Sequence, residues 1–233
     1  MITGDPKILV FAFLAGIIPS LLWLWFWLKE EENPEPKGLL TIVFIMGMIA
    51  VILVLPIEKF IQDNISSHEG QIILWATAEE VLKYLAVLII LYRTKNVKKP
   101  IDWPIYMITA ALGFAALENI LFLIKPFTIN QATVALLTGQ LRFMGSTLLH
   151  TVSSGILGIT LGVSLFMGNF KKEWHLLVGF VIAIALHSAF NFFIIRNDGN
   201  DFLGVFAFLW VVTIIVMLLF EKVRRMSETI EYS

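Results

Sequence analysis

The sequence contains no cysteine among its 233 residues. That absence excludes disulfide bridges, thiolate metal ligands and a cysteine nucleophile. Charge is also scarce, since charged residues make up 15% of the chain, whereas soluble domains contain about 25%. The formal net charge of −1 provides no basic excess, so we expect no nucleic-acid partner.

Apolar residues dominate instead, at 58% of the chain. A bilayer core requires about 20 apolar residues per helix, and the first such run is too long for a signal-peptide core. No sequence suited to a soluble domain lies between the runs. We therefore predict an all-α, polytopic protein of the cell membrane, with residues 1–233 forming one integral-membrane domain in the lipid bilayer. The predicted spans are about 8–28, 38–60, 71–92, 103–124, 140–167, 174–195 and 202–221. Segment 128–138 either extends the fifth helix or forms a short interfacial piece.

Basic residues predict the orientation of these seven helices, because Lys and Arg concentrate in cytoplasmic loops. Alternate loops and the C-terminal tail hold Lys29, Lys37, Arg93, Lys95, Lys98, Lys99, Lys171, Lys172, Lys222, Arg224 and Arg225. The opposite side holds only Lys7, Lys59, Lys125 and Arg196. The N-terminus is therefore expected outside and the C-terminus in the cytoplasm.

Several predicted spans contain ionisable or amide side chains, although one charge at a helix centre costs about 2.5–3.5 kcal/mol on insertion scales. With the predicted orientation, the ionisable groups lie in one layer about 9–15 Å below the outer surface, from the helical rise per residue. One polar site in the outer half of the membrane would explain this common depth. Its candidate members are Glu79, Glu80, Lys83, Glu118, His150, His187 and Asn191.

Helical spacing adds detail to this site. Lys83 is four residues after Glu79 and three after Glu80, so it can reach either carboxylate. The two glutamates are about 100° apart and cannot point the same way. Small residues Ser154, Gly158 and Gly162 form a stripe along the fifth span, which favours close approach of another helix.

Taken singly, each of these residues also has a structural explanation. A Glu79–Lys83 ion pair can simply lock helices together, and a membrane histidine or asparagine is often a packing residue with one hydrogen bond. Ser153 and Ser154 are expected to be packing residues. Three carboxylates, two imidazoles and an amide at one depth exceed what packing requires, so the set favours a functional site.

Carboxylate and imidazole groups suit zinc. We expect Glu118, His150 and His187, from three helices, to bind Zn²⁺. Glu79 or Glu80 would take the proton of a water molecule. Lys83 would position one of these glutamates, and Asn191 would donate to a developing oxyanion. A proton-coupled transporter uses the same residue types but should show discontinuous helices, and span three has no Gly or Pro beside its glutamates.

These roles together are those of a hydrolase. Several known types of hydrolase that act inside the membrane can be excluded, because their motifs are absent from this chain. No aspartate lies inside a predicted span, which excludes a membrane-embedded aspartyl pair. His68-Glu69 lacks the second histidine of an H-E-x-x-H zinc motif, and no G-x-S-G serine motif occurs. Among these types, only a glutamate-led arrangement remains.

Four short motifs in order resemble the PrsW family of intramembrane proteases, distantly similar to CAAX-processing and bacteriocin-immunity proteases. They are E-E-x-x-K at residues 79–83, G-F-A-x-x-E-N at 113–119, His150 before a Gly-rich helix, and L-H-x-x-x-N at 186–191. The acidic, Pro-rich stretch EENPEPKGLL at 31–40 is similar to the family's first loop. The resemblance covers about residues 10–220.

The resemblance implies an intramembrane endopeptidase that makes the first cut in a membrane-anchored anti-sigma factor. The expected partner is therefore a single-pass membrane protein. The alternative within the superfamily is a CAAX-type or small-peptide peptidase. The alternatives of another class are a proton-coupled transporter and a catalytically dead membrane scaffold.

Overall fold

The computed structural model describes residues 6–29, 35–94, 97–128, 140–196 and 202–231. These residues form seven long α-helices and one π-helical turn, with no strand among them. The helices are α1 Pro6–Leu28, α2 Lys37–Asn64, α3 His68–Thr94, α4 Asp102–Thr128, α5 Thr147–Val163, α6 Asn169–Arg196 and α7 Phe202–Glu231; the π-helical turn Arg142–Ser146 leads directly into α5.

Six of the seven helices are long and apolar enough to cross a membrane. The exception is α3, whose middle holds Glu79, Glu80 and Lys83, and all three side chains are buried inside the protein. Burial inside the protein keeps these charges away from lipid. The prediction of an all-α, polytopic membrane protein is confirmed.

The predicted spans match the helices, but several ends differ. Helices α2 and α7 extend past the predicted residues 60 and 221, because a helix can continue into the interface after its apolar stretch ends. Helix α5 ends at Val163 rather than 167, since residues 164–166 form a turn. The possible extension at 128–138 lies, beyond residue 128, outside the described residues.

Helix α4 is the central element of the bundle. It packs against α1, α2, α3 and α5, and nearly every side chain from Ile105 to Ala116 is fully buried. Two glycines bring α2 and α4 into backbone contact. A Cβ at Gly47 would lie 2.0 Å from the Ala110 oxygen, and one at Gly113 would lie 2.0 Å from the Phe44 oxygen. The glycine of the G-F-A-x-x-E-N motif therefore serves helix packing.

The stripe of small residues on α5 faces neighbouring helices, as predicted, and its two glycines lie against the beginning of α4. A Cβ on Gly158 would lie 2.6 Å from Pro104 Cα, and one on Gly162 would lie 2.1 Å from the Pro100 oxygen. Ser154, in contrast, is fully buried against α3. This close packing fixes α5, which carries His150, beside α3 and α4.

Candidate active site

The site lies at one end of the bundle, where α2, α4 and α6 finish and α3, α5 and α7 begin. We call this the site end. Helix α3 contributes Glu79, Glu80 and Lys83, all at most 5% exposed. The Lys83 Nζ donates to Glu80 Oε1 at 2.9 Å and to Glu79 Oε2 at 3.4 Å. The predicted contact of Lys83 with both glutamates is therefore present.

Glu80 is completely buried and accepts hydrogen bonds from three helices. Besides Lys83, its donors are Ser153 Oγ at 3.1 Å, Ser154 Oγ at 2.6 Å and His187 Nδ1 at 2.9 Å. A carboxylate only accepts, so His187 carries its proton on Nδ1. The lone pair of His187 Nε2 therefore faces the other way, 3.6 Å from Glu79 Oε2.

His150 lies between an ammonium and a carboxylate. Its Nδ1 contacts Lys83 Nζ at 2.9 Å, and its Nε2 contacts Glu118 Oε2 at 2.9 Å. An ammonium only donates and a carboxylate only accepts, so the proton sits on Nε2 and the Nδ1 lone pair accepts the hydrogen bond from Lys83. That Nδ1 is 3.7 Å from Glu79 Oε2.

Glu118 belongs to a second cluster that joins α4 to the π-helical turn. Arg142 donates through its NH2 group to Glu118 Oε2 and through Nε to Asn119 Oδ1, the latter at 2.6 Å. Asn119 Nδ2 donates to Thr147 Oγ1 at 2.9 Å. The guanidinium also lies 4.0 Å from the ring centroid of Phe122. These contacts orient the Glu118 carboxylate toward His150.

Three of the buried groups could together hold a metal ion. Glu79, His150 and His187 each offer one ligand atom, and these atoms lie within 4.8 Å of one another. Two imidazole lone pairs and one carboxylate oxygen form a donor set that suits zinc. The residues therefore fit a metal. Each imidazole also contacts a carboxylate through its other nitrogen, Glu80 for His187 and Glu118 for His150, as metal-binding histidines commonly do.

A cavity of about 1120 Å³ opens onto this cluster. Its walls are mainly apolar and come from α2, α3, α4, α5, α6, α7 and the π-helical turn. The predicted site residues on its surface are Glu79, Glu118, His150, His187 and Asn191. Glu80 and Lys83 do not line it. The two neighbouring glutamates therefore differ: Glu79 faces the cavity and Glu80 faces the protein interior.

The structure thus brings together six of the seven predicted residues through direct contacts, and places Asn191 on the wall of the same cavity.

Three further groups belong to the site without having been predicted as site residues: Arg142, the pair Ser153 and Ser154, and Glu58, which also lines the cavity. Arg142 is the only lysine or arginine in span 140–167, and Glu58 is the only acid in span 38–60. Arg142 is the lone charge in its span and Glu58 shares its span only with Lys59, and this scarcity of charge is the signal that could have identified both. The serines gave no such signal, because serine is common in packed membrane helices.

Comparison with known proteins agrees with this site. The sequence profile described as "PrsW family intramembrane metalloprotease" matches residues 35–220. Proteins named "Protease PrsW" are similar along most of the chain. The one from Shouchella clausii is 25% identical, covering 92% of this chain and 96% of its own length. The one from Oceanobacillus iheyensis is 31% identical over 76% and 80%, and the one from Bacillus subtilis is 26% identical over 84% and 89%. No solved structure matches the chain.

Proposed function

Because the chain belongs to the PrsW family of intramembrane metalloproteases, we propose that its buried Glu79–His150–His187 cluster is the centre that hydrolyses peptide bonds of membrane-anchored proteins. The protein is a multi-pass protease of the cell membrane. The observation that carries the proposal is the convergence of one carboxylate and two imidazole lone pairs at the surface of a large cavity.

The cavity supports a single-pass membrane protein as the substrate. Its apolar walls include Val51, Val54 and Phe114, which suit the side chains of a transmembrane segment. A peptide bond must leave its helical hydrogen bonds before water can attack it, and polar groups at the cavity floor can accept those released amides. An anti-sigma-factor-like protein, cut first by this enzyme, is the specific substrate that the family resemblance suggests.

The donor set favours three residues as metal ligands. His150 Nδ1, His187 Nε2 and Glu79 Oε2 would hold a zinc ion, while Glu118 and Glu80 would fix the two imidazole rings. A zinc ion at such a site lowers the pKa of water and polarises a carbonyl group. Lys83 contacts the same His150 nitrogen, so its ammonium and a metal ion compete for that lone pair.

The sequence led us to expect Glu118 as a metal ligand and Glu79 or Glu80 as the general base. The distances in the structure favour the opposite assignment for Glu118 and Glu79. Glu79 Oε2 lies within 3.7 Å of both imidazoles, whereas Glu118 contacts only His150 of the two. We assign Glu79 to the metal and Glu118, another carboxylate facing the cavity, to accepting the proton of the attacking water. Asn191, one turn beyond His187 on α6, would donate to the oxyanion.

The experiment compares two isosteric variants, Glu79→Gln and Glu118→Gln, in purified, detergent-solubilised protein. Metal content is measured by mass spectrometry and hydrolysis with a fluorogenic single-span peptide. Glu79→Gln should lose both metal and activity. Glu118→Gln should keep its metal and lose activity by about 10²–10⁴-fold, the usual contribution of a general base.

Three control variants are measured alongside this pair. Glu173→Gln, at an exposed position on α6, should change neither quantity. His150→Ala and His187→Ala should both lose metal. If Glu118→Gln loses the metal while Glu79→Gln retains it, the sequence-based assignment is correct and ours is wrong. If no variant or chelator alters hydrolysis, the metal is not part of the reaction.

A further inference from the structure

We propose that Glu58 forms a subsite for a cationic side chain, Lys or Arg, of the substrate, on the side of the scissile bond nearer the cavity mouth. This inference rests on the proposed function, since it assigns substrate selection to the same cavity. It is carried by the position of Glu58, its lack of a partner among the described residues and the pairing of its charged neighbours on the cavity wall.

Glu58 lies where the cavity wall changes from buried to exposed. One turn earlier on α2, Val54 is 1% exposed, and one turn later Gln62 is exposed. All three residues line the cavity, and Glu58 itself is partly buried. A group at this depth is reachable by a peptide in the cavity and only partly hydrated.

A contact with α3 gives the separation, along the helix axis, between Glu58 and the proposed catalytic residue Glu79. The Trp75 Nε1 donates to the Glu58 backbone oxygen at 3.1 Å, and Trp75 precedes Glu79 by one helical turn. One turn rises about 5.4 Å. An extended peptide rises about 3.3 Å per residue, so Glu58 is at a level about two residues away from the bond held at Glu79.

Two described cations line the cavity, Lys59 and Arg142, and both already have partners. Lys59 pairs with Asp63 at 3.4 Å, with both side chains more than half exposed, and Arg142 pairs with Glu118. Within the described parts of the chain, the Glu58 carboxylate has no hydrogen bond or ion pair. A partly desolvated carboxylate without a partner favours a ligand that brings a cation.

An unpaired carboxylate at this position would favour substrates with a cationic side chain over substrates with a neutral one. A substrate with Lys or Arg at this level gains an ion pair, which is stronger here than on a free surface because the cavity is less hydrated. A substrate with a neutral side chain leaves the carboxylate unpaired. The alternative is that Glu58 is merely a hydrated residue at a helix end, which predicts no dependence on substrate charge.

The test uses single-span peptides with a fluorophore and quencher, reconstituted with the wild-type protein in liposomes. Lys is placed in turn at each of four positions on either side of the cleaved bond, and each peptide is compared with its Gln counterpart. The wild type should favour Lys by about tenfold in kcat/KM at one position or at two adjacent positions. In Glu58→Gln this ratio should fall to about 1, and Glu58→Lys should favour a Glu-containing peptide.

Glu173→Gln serves as the control, because it removes an exposed acid that does not line the cavity and should leave the Lys preference unchanged. The proposal is wrong if the wild type shows no preference at any position, or if Glu58→Gln keeps the same ratio. Fluorescence anisotropy of the same peptides, bound to the wild type and to Glu58→Gln, gives the Lys/Gln affinity ratio without catalysis. A wild type that cleaves nothing but binds Lys peptides through Glu58 would overturn the proposed hydrolysis and retain this subsite.

Discussion

The charged Glu80 carboxylate receives all of its hydrogen bonds from other groups of the protein. Its partners are one ammonium, one imidazole N–H and two serine hydroxyls, contributed by α3, α6 and α5. A fully buried charge needs such a complete set of donors, because removal from water costs several kcal/mol. Glu80 therefore orients His187 and holds three helices together, while Glu79 beside it remains in contact with the cavity.

Replacing Glu80 with Gln should weaken metal binding rather than remove a reacting group. The amide NH₂ has no acceptor to face among four donors, so the hydrogen bond that fixes the His187 ring is weakened or lost. Changes of this kind typically cost 10–100-fold in metal affinity. The measurement is a zinc competition titration, with Glu173→Gln as control. Unchanged affinity together with lost hydrolysis would instead make Glu80 the general base.

Residues whose chemistry is rare in a membrane could be predicted from the sequence. Charged and imidazole side chains in apolar spans marked six of the residues that meet in the site, and the 100° separation of Glu79 and Glu80 implied that they differ in environment. Distances between helices are not encoded in hydropathy, however. The nearness of Glu79 to both histidines, and the use of Ser153 and Ser154 by Glu80, depend on how α3, α5 and α6 pack.

At the scale of elements, glycines determine which helices touch. Gly47 and Gly113 let α2 and α4 meet, and Gly158 and Gly162 let α5 meet the start of α4. Without a hydrophobic driving force between helices in lipid, this close contact is a main source of association. The small-residue stripe predicted the contact surface on α5, but its partner became known only from the structure.

Gly158→Leu should separate α5 from α4 and thereby displace His150. A side chain at position 158 meets the Pro104 backbone at 2.6 Å, which cannot move aside as a flexible side chain could. We expect membrane insertion to continue, with lower thermal stability in detergent and activity reduced by about tenfold or more, as a misplaced catalytic group commonly causes. Gly38→Leu is the matched control, since nothing lies within 4 Å of the position that its Cβ would take. Full activity of Gly158→Leu would show that this contact is dispensable.

At the scale of the whole molecule, the polar site lies at one end of the bundle. Its members come from the second halves of α4 and α6, the middle of α3 and the first turn of α5, at the common depth that the sequence predicted. The distribution of basic residues, which is a separate property of the sequence, predicts that this site end faces outward from the cell.

Reporter fusions test that orientation. Fusions at Lys98 and at the C-terminus should report a cytoplasmic location, because those segments hold seven of the eleven lysines and arginines on the predicted cytoplasmic side. A fusion at Ser67, in the connection between α2 and α3, should report an outer location. The reverse pattern would place the site end at the cytoplasmic face and change the class of accessible substrates.

The position of Lys83 on the same helix as Glu79 and Glu80 has a consequence for biosynthesis. Ser154 and His187 follow Glu80 by 74 and 107 residues, so α3 leaves the ribosome well before these partners exist. During that interval Lys83 is the counter-ion that accompanies the two carboxylates into the translocon. A nascent chain ending at Thr128 should therefore insert α3. Exchanging Lys83 with Leu85 keeps the composition of α3 but takes the lysine out of i,i+3 and i,i+4 reach of the two glutamates, and it should reduce that insertion in a glycosylation-tag assay. Lys83 would thus assist the membrane insertion of α3 before it contacts Glu79 and Glu80 in the folded enzyme.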